Sequence, residues 1–217
     1  MIIEVEEVSK KIRGTAVIDH VSLTFSSGKI FGLKGINGSG KTMLMRLVCG
    51  LIYPTEGRIL IDGKILGKDL SFPEELGLLI ERPAFLDSYS GIDNLRLLAS
   101  IKDRINIDDI RNSMERTGLD PNSKKKYKKY SLGMKQRLGI SGAVMEQPEL
   151  LVLDEPTNAL DTEGIQRLKE IVRKEKDRGA LVILSCHDTV LLEELADEIY
   201  YLENGKLVES KNRGNKM

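Results

Sequence analysis

Apolar and polar positions alternate from the amino terminus onward. Ile2, Val5 and Val8 are followed by the stretch Val17 to Phe25 and then by Lys29 to Leu33, with Gly14 and Ser27-Gly28 as punctuation. This pattern predicts strands joined by short turns. Glycines then interrupt the chain from Gly35 to Gly40. Met43, Leu44, Leu47 and Val48 follow at helical spacing and stop at Gly50, just before Tyr53-Pro54. A strand, a glycine-rich loop and a helix are therefore predicted in succession. Arg58 to Asp62, turning at Gly63 and returning through Ile65, reads as a hairpin, and Leu76 to Ile80 as a short strand.

The middle of the chain has a longer period. Ser90-Gly91-Ile92-Asp93 is placed to cap a helix carrying Leu95, Leu97, Leu98 and Ile101; Asp108 to Arg116 predicts another, and Ser131 to Met145 an amphipathic one. These helices are expected to form a subdomain. Strand Leu150 to Leu153, helix Thr162 to Lys176 and strand Ala180 to Ser185 then alternate, as in a mainly parallel, doubly wound α/β sheet. Glu198 to Leu202 and Lys206 to Glu209 flank Asn204-Gly205, a hairpin turn signal, and the tail after Ser210 is expected to be loose.

Composition narrows the class. The chain has 217 residues, 41% of them hydrophobic and 30% charged, so it can bury a core beneath a polar surface. With 33 basic and 33 acidic residues, no overall field draws it to nucleic acid or an anionic membrane. Cys49 and Cys186 lie far apart without metal-like spacing, which suggests neither a disulfide framework nor a zinc site and fits a reducing cytosol. The first residues lack a signal-peptide pattern and the longest apolar runs are far short of a membrane span. Any role at a membrane is expected to come through a partner.

Two segments carry chemistry. Gly35-Ile36-Asn37-Gly38-Ser39-Gly40-Lys41-Thr42 matches G-x-x-x-x-G-K-[ST] between a predicted strand and a predicted helix, where that motif must sit. Glycines let backbone N–H groups converge on phosphate oxygens, the helix N-terminus adds partial positive charge, Lys41 supplies a point charge and Thr42 a hydroxyl for Mg²⁺. Asp154-Glu155 directly follows the apolar strand 150–153, and carboxylates at strand ends of an open α/β sheet face the ligand crevice. Asp154 is expected to hold Mg²⁺, and Glu155 to orient the attacking water and accept its proton. Together they indicate a P-loop NTPase that binds a nucleotide with Mg²⁺.

The residues in between indicate which kind. Tyr130-Ser131-Leu132-Gly133-Met134-Lys135-Gln136-Arg137 resembles the signature motif of ATP-binding cassette (ABC) proteins, usually Leu-Ser-Gly-Gly-Gln. Asp154-Glu155-Pro156-Thr157-Asn158-Ala159-Leu160-Asp161 is similar to that family's Walker B and D-loop. His187 stands where the family has its switch histidine, and Ser131 follows Lys41 by 90 residues, the family's order and spacing. The resemblance runs from Ile2 to about Glu209. It implies one ATP-binding domain over residues 1–217, with a RecA-like core, an N-terminal antiparallel β subdomain and an inserted helical subdomain at about 82–146. It also implies a head-to-tail pair of copies, in which Ser131, Gly133 and Met134 of one reach the nucleotide held by Gly35, Asn37, Gly38, Ser39, Gly40, Lys41, Thr42 and Met43 of the other. Asp161 would contact the opposite phosphate loop, and His187 would hold the γ-phosphate, Glu155 and the water in line.

Four positions depart from the family pattern. Ile12 stands where an aromatic residue usually stacks on adenine. Glu81 replaces the Q-loop glutamine that reaches Mg²⁺; its carboxylate is expected to approach the metal alongside Thr42 and Asp154, with an added charge. Met43 replaces a hydroxyl residue, leaving its backbone N–H to meet phosphate, and Leu132 and Met134 replace a glycine and the signature glutamine. Glu81 and the altered signature together resemble the bacterial bacitracin and lantibiotic exporter subgroup. The expected partners are a separate transmembrane permease and a second ATP-binding subunit, as a homodimer, without direct nucleic-acid contact. The expected location is cytoplasmic, peripheral to the inner face of the membrane.

Other features have plainer readings beside functional ones. The lysine run Lys124 to Lys129 is either a phosphate-attracting patch or a solvated linker before the signature helix. Pro83 to Tyr89 either faces the membrane partner or packs Phe85 into the core. His20 reads as a surface histidine and Cys186 as a small buried strand residue. A non-transport ABC ATPase acting on ribosomes, DNA or a metal-cluster scaffold is the alternative function. On this resemblance, 217 residues are expected to make about one minimal cassette, leaving no room for a permease, a second cassette or a long regulatory domain.

Overall fold

The computed structural model describes residues 1–212. Strands β1 (Ile2–Ile12) and β2 (Thr15–Ser26) form an antiparallel hairpin about Gly14, and β4 (Glu56–Ile61) with its short return β5 (Lys64–Ile65) completes a sheet ordered β2-β1-β4-β5. The larger sheet is built from β3 (Ile30–Lys34), β6 (Leu76–Leu79), β7 (Leu150–Leu153), β8 (Leu181–Ser185), β9 (Glu198–Glu203) and β10 (Lys206–Asn212). Its order is β10-β9-β3-β8-β7-β6. All neighbours are parallel except β10, which returns antiparallel along β9. This is an α/β P-loop NTPase fold with a RecA-like core.

Each strand's sequence matches its place. The four residues of β7 and the five of β8 are all buried, and continuous apolar runs are what a parallel strand covered on both faces requires. One face packs on the antiparallel sheet and on α1 (Lys41–Val48). There Phe25, Phe31 and Tyr200 meet, Phe25 edge-on to Phe31 at 5.1 Å, while the Tyr200 hydroxyl donates to the Thr24 carbonyl. The other face packs on α4 (Leu132–Val144), α5 (Thr162–Asp177) and α6 (Thr189–Leu195). Helices α2 (Gly91–Ala99) and α3 (Ile107–Arg116) join α4 around Leu95, Ile110, Met114, Tyr127, Tyr130 and Leu138, a separate apolar cluster.

The structure corrects two expectations and adds one element. Helix α4 is not one-sided: Ile140, Ala143 and Val144 belong to the sheet cluster, while Leu138 belongs to the helical one, so the helix is buried between two cores. Close approach to β6 needs small residues, since a Cβ on Gly77 would lie 1.9 Å from the Ala143 carbonyl oxygen. The added element is helix α6, which Asp188 caps, accepting from the N–H groups of Val190 and Leu191. The chain after Ser210 does not loosen at once, because Lys211 and Asn212 still pair with Ile199 and Glu198. The rest of that tail lies outside the described residues.

Candidate active site

The phosphate-type loop joins β3 to α1 at the carboxyl ends of the parallel strands. Gly38 and Gly40 have φ of 81° and 108°, in the region glycine adopts at little cost. A Cβ on Gly35 would sit 2.3 Å from the Leu202 carbonyl oxygen, and one on Gly40 within 3.0 Å of Val17 and Ile18 atoms. The loop is thus wedged between β9 and β2, and the Gly205 N–H donates to the Ser39 carbonyl at 3.0 Å. Asn37 and Gly38 are exposed, Ser39 and Lys41 buried, and Met43 half-buried on α1.

The Lys41 ammonium donates to the carbonyls of Gly35 at 2.7 Å and Ile36 at 3.1 Å. An ammonium has three protons, so one donor remains for an anion at the loop. The Ser39 hydroxyl is buried without a hydrogen-bond partner. An orphaned hydroxyl beneath a glycine loop at a helix N-terminus fits a phosphate-bearing ligand.

Across the loop, Thr42 Oγ1 donates to Asp154 Oδ2 at 2.6 Å. The other oxygen, Oδ1, accepts from the Ser185 hydroxyl at 2.6 Å, and Ser185 Oγ in turn accepts from the Glu155 N–H at 2.9 Å. Ser185, at the end of β8, therefore locks both carboxylate residues. Nothing in its sequence context singled it out; its position one strand over from β7 is the signal. Among the described residues no group of three or more His, Cys, Asp or Glu is arranged to hold a metal. One hydroxyl and one carboxylate suit Mg²⁺, which takes few protein ligands and completes its shell with phosphate oxygens and water. Thr42 and Asp154 are the side chains that would hold it.

Glu155 has φ of 48°, a left-handed backbone uncommon outside glycine. Its Oε2 accepts from the His187 N–H at 3.2 Å; Oε1 is buried without a hydrogen bond and lies 3.4 Å from His187 Nε2. Gln136, on α4, donates to the carbonyls of Glu155 and Pro156. That contact, too, was invisible in the sequence. A cleft of about 790 Å³ opens onto Glu81, Gln136, Asp154 and Glu155.

The remaining candidates lie elsewhere. Ser131 caps α4, accepting from the Met134 N–H at 3.2 Å. A Cβ on Gly133 would lie 2.8 Å from the Ala159 carbonyl oxygen. Ser131, Gly133, Met134, Arg137 and Asp161 line a second cavity of about 730 Å³. Asp161 caps α5 and pairs with Arg137; the Gly164 N–H, and then the Arg137 guanidinium, hold its carboxyl below the ordinary range. Glu81 pairs with Arg46 of α1. Ile12 ends β1 in the hairpin whose other strand, through Val17 and Ile18, abuts Gly40, and it is largely exposed. Lys124 to Lys126, Lys128 and Lys129 are exposed around buried Tyr127, which packs edge-on to half-buried Phe85 at 5.5 Å.

The family model for ABC transporters matches residues 18–158. The chain belongs to the ABC transporter family. An ABC transporter ATP-binding protein of Bacillus subtilis (strain 168), YybJ, is 46% identical over 209 residues, covering 96% of each chain. The bacitracin transport ATP-binding protein BcrA of Enterococcus faecalis is 36% identical, covering 97% of this chain and 69% of its own. The lantibiotic transport ATP-binding protein SrtF of Streptococcus pyogenes is 33% identical, covering 96% and 90%. A solved ATP-binding subunit of an ABC transporter superposes with a TM-score of 0.89 at 26% identity, covering 99% of this chain and 91% of that one. A cassette solved as a dimer shares the fold at 0.87 with 21% identity, covering 97% and 98%.

This ABC protein is an ATP-hydrolysing subunit of an ATP-driven transport system whose permease is a membrane protein. It is related to the ATP-binding subunits of bacitracin and lantibiotic transport. Among its described residues no helix is long and apolar enough to cross a membrane.

Proposed function

We propose that this chain hydrolyses Mg·ATP as a head-to-tail homodimer that drives a separate permease exporting a peptide or another antibiotic-like molecule. The observation that carries the chemistry is the Glu155 carboxylate, with one oxygen held by the His187 N–H and the other buried and free of hydrogen bonds. A carboxylate in that state accepts a proton from water, and the imidazole 3.4 Å away orients it. Bound Mg²⁺ would neutralise charge on the nucleotide's phosphate oxygens. Lys41, Ser39 and the N–H groups of the loop, Met43 included, bind and orient the phosphates, while Thr42 and Asp154 hold the metal. Ile12 lies along the hairpin that borders the loop, where it would give the base an apolar neighbour.

The capped start of α4 presents Ser131, Gly133 and Met134 to the facing copy's nucleotide, with Asp161 beside them. The dimeric cassette of the same fold supports that pairing. The cargo class is supported by the names of the relatives, bacitracin and lantibiotic transport proteins. The protein would lie at the inner face of the membrane, held by its permease and without direct nucleic-acid contact.

Substitution Glu155→Gln tests the reading. Hydrolysis is expected to fall by about 10²–10⁴-fold with ATP binding retained, and the variant should run as an ATP-dependent dimer on size exclusion. A monomer with normal turnover at saturating ATP would overturn it. Co-purification from membranes with a multi-span permease tests the transport partner.

A further inference from the structure

Helix α1 meets the strand ends at two places. Leu79 pairs with Leu153 in parallel register and the Asp154 N–H donates to the Leu79 carbonyl at 2.7 Å, so Glu81 and Asp154 emerge from neighbouring strands. Thr42 and Arg46 are four residues apart on α1, one turn along the same face. Thr42 donates to Asp154, and Arg46 Nη2 donates to Glu81 Oε1. The two contacts form two rungs between one helix and one pair of strand ends. Glu81 has φ of 61°, a left-handed backbone that sets the direction in which its side chain leaves the strand.

Glu81 and Asp154 line the same cleft, so a carboxylate at residue 81 adds negative charge to the wall it shares with Asp154. Uncompensated, that charge would attract a divalent cation and repel a polyanionic nucleotide. A neutral glutamine would bring neither effect and would need no cation. Here the acid comes with a guanidinium one rung above the threonine.

We infer that Arg46 is a positioning residue: it holds Glu81 by charge, and so competes with Mg²⁺ for the Glu81 carboxylate and sets the net charge around the metal. The inference rests on the ATPase reading above and deepens it. Because the Glu81 side chain is 61% exposed, the pair is partly screened by solvent and salt, and the effect is modest.

The test uses the whole chain carrying Glu155→Gln, so that nothing turns over, with Mg²⁺ titrated against a fluorescent ATP analogue. Adding Arg46→Gln is expected to lower the half-saturating Mg²⁺ concentration by about two- to fivefold at low ionic strength, less at high salt, and Arg46→Lys to restore most of the original value. With Glu81→Gln also present, Arg46→Gln should change nothing further. The same shift whether residue 81 is Glu or Gln would overturn the inference, since Arg46 would then act on the nucleotide directly. So would no shift at all. Failure of the Glu155→Gln parent to bind nucleotide would overturn the ATPase reading itself and the inference with it. Melting curves without nucleotide establish that each variant is folded; with side chains 29% and 61% exposed, neither Arg46 nor Glu81 supports a core.

Discussion

The two halves of the site are held by different physics. Asp154 and Glu155 leave a strand whose residues are all buried, and Ser185 ties both to the next strand by bonds of 2.6 and 2.9 Å. Ser131, Gly133 and Met134 stand at a helix start beside an exposed Leu132, fixed by one hydroxyl cap and by the Arg137–Asp161 pair next to it. The first set is anchored in a core and the second is held at its surface. On the proposed reading, the first set would align a metal and a water and needs a rigid setting, because small displacements cost rate. The second set would meet another copy and must stay accessible, and exposed caps and ion pairs can be remade at little cost.

The sharpest way to break the contrast is to remove packing. Leu153→Ala, beneath the carboxylates, should lower unfolding free energy by about 2–5 kcal/mol, read by denaturant melts. Leu132→Ala on the exposed side should stay within about 0.5 kcal/mol. Equal losses at the two positions would erase the distinction. A smaller effect separates the two serines. Ser185→Ala strands a buried carboxylate oxygen and should cost about 1–3 kcal/mol, whereas Ser131→Ala removes a single helix cap, about 1 kcal/mol. Hydrolysis should then fall in Ser185→Ala even at protein concentrations that saturate dimer formation.

The smallest expected signal is an absence of reaction. Cys49 and Cys186 are both buried; burial pushes the Cys49 thiol up to about 12 and the Cys186 thiol upward as well. At pH 8 both are protonated in the folded protein, below the raised values, and thiol reagents should label neither until the sheet opens. Labelling of Cys186 at the rate of an unfolded peptide would show that the strand bearing Ser185 is not rigid.

Short-range signals in the sequence located most of the fold. The run Leu150 to Leu153 is β7 residue for residue, Ser90 caps α2, and Asn204-Gly205 turns β9 into β10. The glycine loop lies between strand and helix as its pattern requires. What escaped was decided by neighbours distant in the chain. Helix α6 has only seven residues and too little periodicity to announce itself, although Asp188 was a usable cap signal. The apolar residues of α4 look one-sided until two cores close around them. Ser185, Gln136 and Arg46 bear on the site only because the strand order and helix packing bring them there. No local pattern marks a serine that will bridge two carboxylate residues 31 and 30 positions away.

The left-handed backbone of Glu155 places two demands on one residue. Its conformation favours glycine and tolerates Asn or Asp, whose short side chains accept positive φ more readily. Its side chain must still span to the His187 N–H, and Asp is one methylene short of Glu. Substitutions that ease the main chain therefore discard the acid or shorten its reach, while those that keep the length keep the tension. Few of the twenty amino acids can stand at that corner, and a designer who borrows this loop for another scaffold inherits both conditions at once.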